Sequence, residues 1–335
     1  MKHVLFKTFR FFAAHMLFAL CVYGADISTD EQPAPVDYRE EMRRFVISVS
    51  EYGKKRNNNF IVIPQNGLEL ITDDGSVTDS LQQRYLSAIT AVGQESLFYG
   101  YAKDDKPTPS DVRAYTLKLC RLYKQNGIPV LVTDYCSSPK KVGASYALNA
   151  ENGFISFAAD KRNLTDIPRY PRAPYNSNTH TITRLSDAAN FLYLINGERF
   201  SSKRAFIDAV KNTDYDVIIM DLFHFELPYT AAEINELKTK RRGGKRLVIC
   251  YMSIGEAENY RYYWQEHWRT DKPDWLMEEN PLWKGNYIVK YWISDWQQII
   301  TGNGASYQQK IIDAGFDGVY LDIIDAFEYF ENELP

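Results

Sequence analysis

The sequence predicts an α/β fold, a parallel (β/α)8 barrel of the TIM type. Three observations carry this. Short apolar runs recur along the chain, helical patterns fill most of the gaps between them, and the last run ends on two carboxylates. Apolar runs without alternation suit strands buried on both faces, as in parallel sheets. In a parallel barrel the chemistry sits at the C-terminal ends of the strands. That is where Asp322 and Asp325 fall, after the run 318–321.

Residues 1–24 read as a secretory signal peptide. Lys2, Lys7 and Arg10 precede an apolar stretch broken only by His15, and Gly24 and Ala25 supply small residues for cleavage. The stretch is too short to span a bilayer as a mature helix. Cys21 follows Ala19-Leu20, a poor lipobox, so no lipid anchor is expected. The remainder, 25–335, is expected to be a single exported barrel domain, monomeric and without a membrane span. Its location would be periplasmic, cell-surface or extracellular.

The strand-like runs are 60–64, 88–92, 129–133, 154–158, 190–195, 217–222, 247–252 and 318–321. Three helices stand out between them. Residues 110–125 have Ser110 as N-cap and Gly127 just beyond the end. Residues 230–240 begin at Thr230 and stop before Gly243, and 295–314 run into Gly315. A doubly wound open sheet fits the same alternation, but no phosphate-binding glycine motif follows any strand. Residues 164–186, with Pro168, Pro171 and Pro174, interrupt the rhythm and read as a linker.

Composition narrows the function. The net charge is −4 and no dense Lys/Arg stripe appears, which argues against nucleic acid. Five His lack metal-ligand spacing, and Cys120, Cys136 and Cys250 form no C-x-x-C pair. No metal or other cofactor is expected. Aromatics make up 14% of the chain, a surplus that serves sugar stacking and barrel packing equally.

Four segments mix polar groups into strand ends: 63–69, 250–261, 285–292 and 315–325. Each acidic residue has a structural reading beside the functional one. Asp325 and Asp221 would cap a following turn, and Glu69 would sit in the first turn of a helix. Glu256 would pair with Arg261. Glu95 and Asp134 also end strands. Tyr291, Trp292 and Trp264 would stack on sugar or pack inside. His224 reads as a solvated or hydrogen-bonded side chain rather than a ligand.

At 251–261, 283–287, 315–329 and 63–69 the sequence resembles the glycoside hydrolase family of endo-α-1,4-polygalactosaminidases, also known as cysteinyl-tRNA-synthetase-related proteins. Residues 93–95 and 132–135 match more weakly. No adenylate-binding H-I-G-H or K-M-S-K-S element is present, so the synthetase label carries no implication. The motif order departs from the family: the segment 315–325 usually comes before 63–69. The chain therefore reads as a circular permutant, with 164–186 joining the former ends. The resemblance implies Asp322 and Glu69 as the catalytic carboxylates, on neighbouring strands. It implies an α-linked, amino-sugar polysaccharide as substrate. Gln65, Asn66, Glu95, Asp134, Asp221, Tyr251, Glu256, Tyr291, Trp292 and Asp325 would then bind sugar. The alternative is a barrel that binds carbohydrate without cleaving it. A metal-dependent deacetylase would need a His-rich set that the sequence lacks.

Overall fold

The computed structural model describes residues 35–333, so the expected signal peptide lies outside the described residues. The core is a set of eight parallel strands: β1 (Ile61–Pro64), β2 (Val92–Glu95), β3 (Val130–Tyr135), β4 (Ile155–Ala159), β5 (Phe191–Tyr193), β6 (Val217–Met220), β7 (Leu247–Ser253) and β8 (Gly318–Asp322). Every expected run holds or touches a strand. The largest difference is at β2, which begins where the expected run ends. Residues Gln83–Ala88 are helical instead, with Tyr85, Leu86 and Ala88 buried. A short apolar run serves helix and strand alike, and here the helix takes the run's first residue.

One sheet runs β5–β6–β7–β8–β1 and a second runs β2–β3–β4. A parallel bridge between Gln65 and Gly93 joins them. Hydrogen bonds from Thr90 N to Val62 O (2.8 Å) and from Asn66 N to Gly93 O (2.9 Å) reinforce the joint. Across the remaining seam the Phe157 ring of β4 meets the Phe191 ring of β5 at 5.7 Å. The first and last strands of the chain are direct partners, with Val62 opposite Val319.

Large rings fill the space between the strands. Tyr135, Tyr193, Tyr251 and Tyr320 are all essentially inaccessible. Their bulk demands a gap opposite. Gly93 provides it, since a Cβ built there would overlap the Tyr320 hydroxyl.

The helices follow their sequence signals with local corrections. Ser110–Gln125 has the expected bounds, but Pro109, not Ser110, occupies the N-cap and no side chain caps it. Ala231–Leu237 starts on a full capping box made by Thr230 and Glu233. The expected helix 295–314 is two helices, Ser294–Ile300 and Tyr307–Asp313. Gly302, at φ 95°, turns the chain between them, and Ser306 caps the second.

Helix Tyr38–Lys54 lies beside helix Ala326–Glu333 on the crossover from β8 to β1. Tyr38 stacks on Phe330 (5.4 Å between centroids), and Arg39 pairs with Glu331 at 2.7 Å. The segment 164–186 has no regular element apart from the 3-10 turn Leu185–Asp187 at its end. It is fastened at the N-terminal edge of the sheet. Asp216, just before β6, accepts from Asn178 (2.9 Å), from Ala189 N (2.8 Å) and from the buried Lys240 ammonium (2.8 Å). The linker's start lies at the opposite edge, where Asn196 N, after β5, donates to Leu164 O at 3.3 Å and Arg199 pairs with Asp166 at 2.6 Å. Cys120, Cys136 and Cys250 are free and buried.

Gly93→Ala should therefore cost about 1–3 kcal/mol by overpacking. Denaturant unfolding measures it. Adding Tyr320→Phe removes the overlapping oxygen and should recover part of the loss. Equal stability of Gly93→Ala and wild type would show that the ring moves freely.

Candidate active site

The C-terminal strand ends converge on two carboxylates. Gln65 follows β1, Glu95 ends β2 and Asp322 ends β8. The Gln65 side-chain amide donates to Asp322 Oδ1 at 2.8 Å and to Glu95 Oε2 at 3.1 Å. Because one nitrogen touches both, the two oxygens lie within about 6 Å of each other. All three residues are buried.

Neutral donors complete the setting. Tyr251, on β7, donates to Asp322 Oδ2 at 2.6 Å. Tyr135, ending β3, donates to Glu95 Oε1. Asn66 adopts the left-handed region (φ 61°), a conformation asparagine tolerates better than most residues. There its Nδ2 reaches Glu95 Oε2 at 3.4 Å while its Oδ1 accepts from Glu95 N at 3.1 Å. Tyr193, on β5, donates to Gln65 Oε1 at 3.0 Å. Hydrogen bonds donated to a carboxylate favour its ionised form.

A cavity of about 610 Å³ opens beside this pair, lined in part by Asn66, Gln94, Glu69, Tyr115, Asp325 and Glu328. Asp325 and Glu328 are shifted toward the protonated form. Burial raises the Asp325 carboxyl well above the usual range, and the charges of Glu328 and Asp322 push the same way. Glu328 is pushed up to about 7, first by burial and then by Glu69, with Arg39 opposing. Glu69 itself faces Glu328, Arg39 and Tyr115. The residue sharing the Gln65 amide with Asp322 is Glu95, not the expected Glu69.

Several other expected contact residues have structural partners. Asp221 forms a bidentate pair with Arg261 (2.8 and 2.7 Å) and caps Phe223 N at 2.8 Å. The second acid on Arg261 is Glu258 (2.6 Å), where the sequence suggested Glu256. Glu256 accepts instead from Asn280 (2.7 Å) and Asn286 (3.0 Å), which ties the strand Glu256–Glu258 to the antiparallel strand Asn286–Val289. Asp134 is fully buried and accepts from Phe98 N, Tyr99 N, Ser145 and Asn149. It fastens β3 to the loop that follows β2.

Tyr291 donates to Tyr38 O at 2.7 Å, and Trp292 packs on Phe330 at 4.7 Å, so both rings belong to the helix junction. Trp264 packs between Trp268 and Tyr287. His224 is not solvated. It is buried, neither ring nitrogen has a hydrogen-bond partner among the described residues, and burial lowers its pKa. Among the described residues no group of three His, Cys, Asp or Glu is placed to hold a metal ion, and no helix is long and apolar enough to cross a membrane.

Sequence reasoning missed Tyr135 and Tyr193. Tyr193 stands inside an apolar run and Tyr135 just after one, where a buried phenol needs a polar partner for its hydroxyl.

Two carboxylates held at one strand-end cluster are what glycoside cleavage requires. Residues 171–334 match the model of glycoside-hydrolase family GH114. This span carries Tyr251 and Asp322, whereas Gln65, Asn66 and Glu95 lie outside it. The relatives are uncharacterized proteins. One from Methanocaldococcus jannaschii is 38% identical over 182 residues, covering 53% of this chain and 49% of the relative. One from Thermotoga maritima is 52% identical over 85 residues, 25% of each chain. A third, from Deinococcus radiodurans, is 38% identical over 127 residues, 38% of each. The chain thus spans about half the length or less of these curated relatives.

The Glu328 shift makes a stability prediction. Its carboxyl binds a proton more tightly folded than unfolded, so stability falls as pH rises from about 4.5 to about 7. Glu328→Gln removes that dependence. Thermal melts should show the variant more stable than wild type at pH 8, by on the order of 1 kcal/mol, and no more stable at pH 4. A larger gain at pH 4 than at pH 8 would reverse the sign and refute the assignment.

Proposed function

We propose that the protein is an exported glycoside hydrolase that cleaves an α-linked amino-sugar polysaccharide with Asp322 and Glu95 as its working carboxylates. The single observation that carries this is the Gln65 amide, which holds both acids within about 6 Å. Retaining glycosidases place their two carboxyl groups about 5–5.5 Å apart, and inverting ones about 6.5–9.5 Å. The spacing therefore favours retention. One carboxylic acid gives its proton to the leaving oxygen while the other carboxylate attacks the anomeric carbon. Water then releases the sugar, with the first group acting as base.

The cavity beside the pair suits a cationic sugar. Glu69, Asp325 and Glu328 line it, and a ring ammonium would relieve their mutual repulsion. The eight parallel strands support a closed (β/α)8 barrel. Circular permutation is supported by the helix pair on the β8–β1 crossover and by a family match confined to 171–334. A collinear model meets a rearranged chain over one continuous part only.

Product analysis on a panel of amino-sugar polymers tests the activity. On any polymer that the wild type cleaves, Glu95→Gln and Asp322→Asn should each lose at least about a hundredfold in turnover. Rescue by azide, with inversion of the product, should single out the nucleophile. Glu69→Gln should keep most activity. Loss in Glu69→Gln with retention in Glu95→Gln would restore Glu69 as the partner of Asp322. Binding without cleavage by the wild type would favour the non-catalytic barrel.

A further inference from the structure

We infer that Tyr193 is a positioning residue: its hydroxyl sets which end of the Gln65 amide faces Asp322 and Glu95. The inference rests on these two acids being the working pair. A primary amide has one accepting and one donating end, and the two ends have nearly the same shape. At Gln65 the difference decides the chemistry. With nitrogen inward, two N–H groups meet two carboxylate oxygens. With oxygen inward, a carbonyl would face those same oxygens, and the pair would have to hold an extra proton to satisfy it.

Tyr193 disfavours the second arrangement. Its hydroxyl donates to Gln65 Oε1 at 3.0 Å. The ring is fully buried and packed against Tyr320 at 5.1 Å, which fixes where the hydroxyl points. Burial, reinforced by the charge of Asp322, keeps the phenol protonated and therefore able to donate. A flipped amide could donate its N–H2 to the Tyr193 oxygen only by leaving the buried phenol proton without the acceptor it now has, and it would set its own oxygen against two anions. The hydroxyl thereby stabilises the ionised pair through an intermediary that it touches and they touch.

Other charges reach the pair as well. Asp325 repels both acids. Arg162 lies over the Tyr135 ring at 4.1 Å, behind Glu95. Glu258 acts on Tyr251, behind Asp322. Tyr320 faces both acids from within the strands. None of these orients the amide, and their influence persists when Tyr193 is changed.

The test is a carboxyl titration by 13C NMR on the full chain labelled at Asp and Glu, which requires no substrate. In Tyr193→Phe the lower titration step of the Asp322–Glu95 pair should move up by about one pH unit, a tenfold gain in proton affinity. Gln65→Met, which removes the amide, should move it at least as far. The double variant should match Gln65→Met alone, because Tyr193 acts through Gln65. Additive shifts, or a Tyr193→Phe titration that overlays the wild type, would overturn the inference. If Tyr193→Phe does not fold, an unmoved titration in Gln65→Met overturns it equally. Failure to cleave any polymer would sink the glycosidase reading and leave these titrations valid. With an active polymer, the acidic limb of kcat/KM in Tyr193→Phe should shift to higher pH with the titration. A purely structural role would lower activity at all pH values alike.

Discussion

The pairing of β8 with β1 and β7 is the constraint on which the rest depends. β8 is the last strand of the chain, yet it lies between the first and the seventh. Gly318 makes the insertion possible. A Cβ there would overlap the Ile61 carbonyl oxygen, so a larger residue would hold β1 away. With the strand seated, Leu321 lies opposite Pro64 and Asp322 opposite Ser253. The register decides the site. It puts Asp322 one step from Gln65, and the Gln65–Gly93 bridge then brings Glu95 to the same amide.

The site surrounds its acids with neutral donors. Arg261 is taken up by Asp221 and Glu258. Asp322 and Glu95 rely on Tyr and amide donors instead. A neutral donor favours an anion less than a guanidinium would. An acid locked to arginine would make a poor proton donor near neutral pH. The neighbouring cavity takes this further, with Asp325 and Glu328 both raised by burial. Two adjacent regimes result: a pair supported by hydrogen bonds and a rim short of positive charge.

The strands were legible because a residue buried on both faces must be apolar, and only its continuity has to be read. The place of Asp322 at a strand end was legible for the same reason, as a carboxylate directly after such a run. Which acid shares the Gln65 amide with Asp322 was not. Glu69 and Glu95 both follow strands, and sequence spacing does not report which side chain turns inward. The answer depends on the left-handed turn at Asn66, which clamps Glu95 from both ends of one amide. The same limit applies to aromatics. Tyr251 and Tyr291 look alike in sequence, yet one donates to Asp322 and the other to a helix backbone. Burial alone does not separate them, since both rings are inaccessible.

The fate of Tyr291 and Trp292 follows from the helix junction. Helices Tyr38–Lys54 and Ala326–Glu333 meet on one crossover with no peptide bond between them there. Side chains must therefore supply the cohesion. Tyr38, Phe330, Tyr291 and Trp292 form a contiguous ring cluster, and such pairs are worth about 0.5–1.5 kcal/mol each beyond their buried area. Arg39 adds the polar half. Its guanidinium pairs with Glu331, donates to the Asp74 carbonyl at 2.9 Å and lies over the Phe327 ring. The same Arg39 opposes the upward shift of Glu328 in the cavity. The junction and the acidic rim therefore share one cation. Any loosening of the junction that withdrew Arg39 would raise the proton affinity of Glu328. The residues that hold the two helices together thus also set the charge that the cavity presents to a ligand.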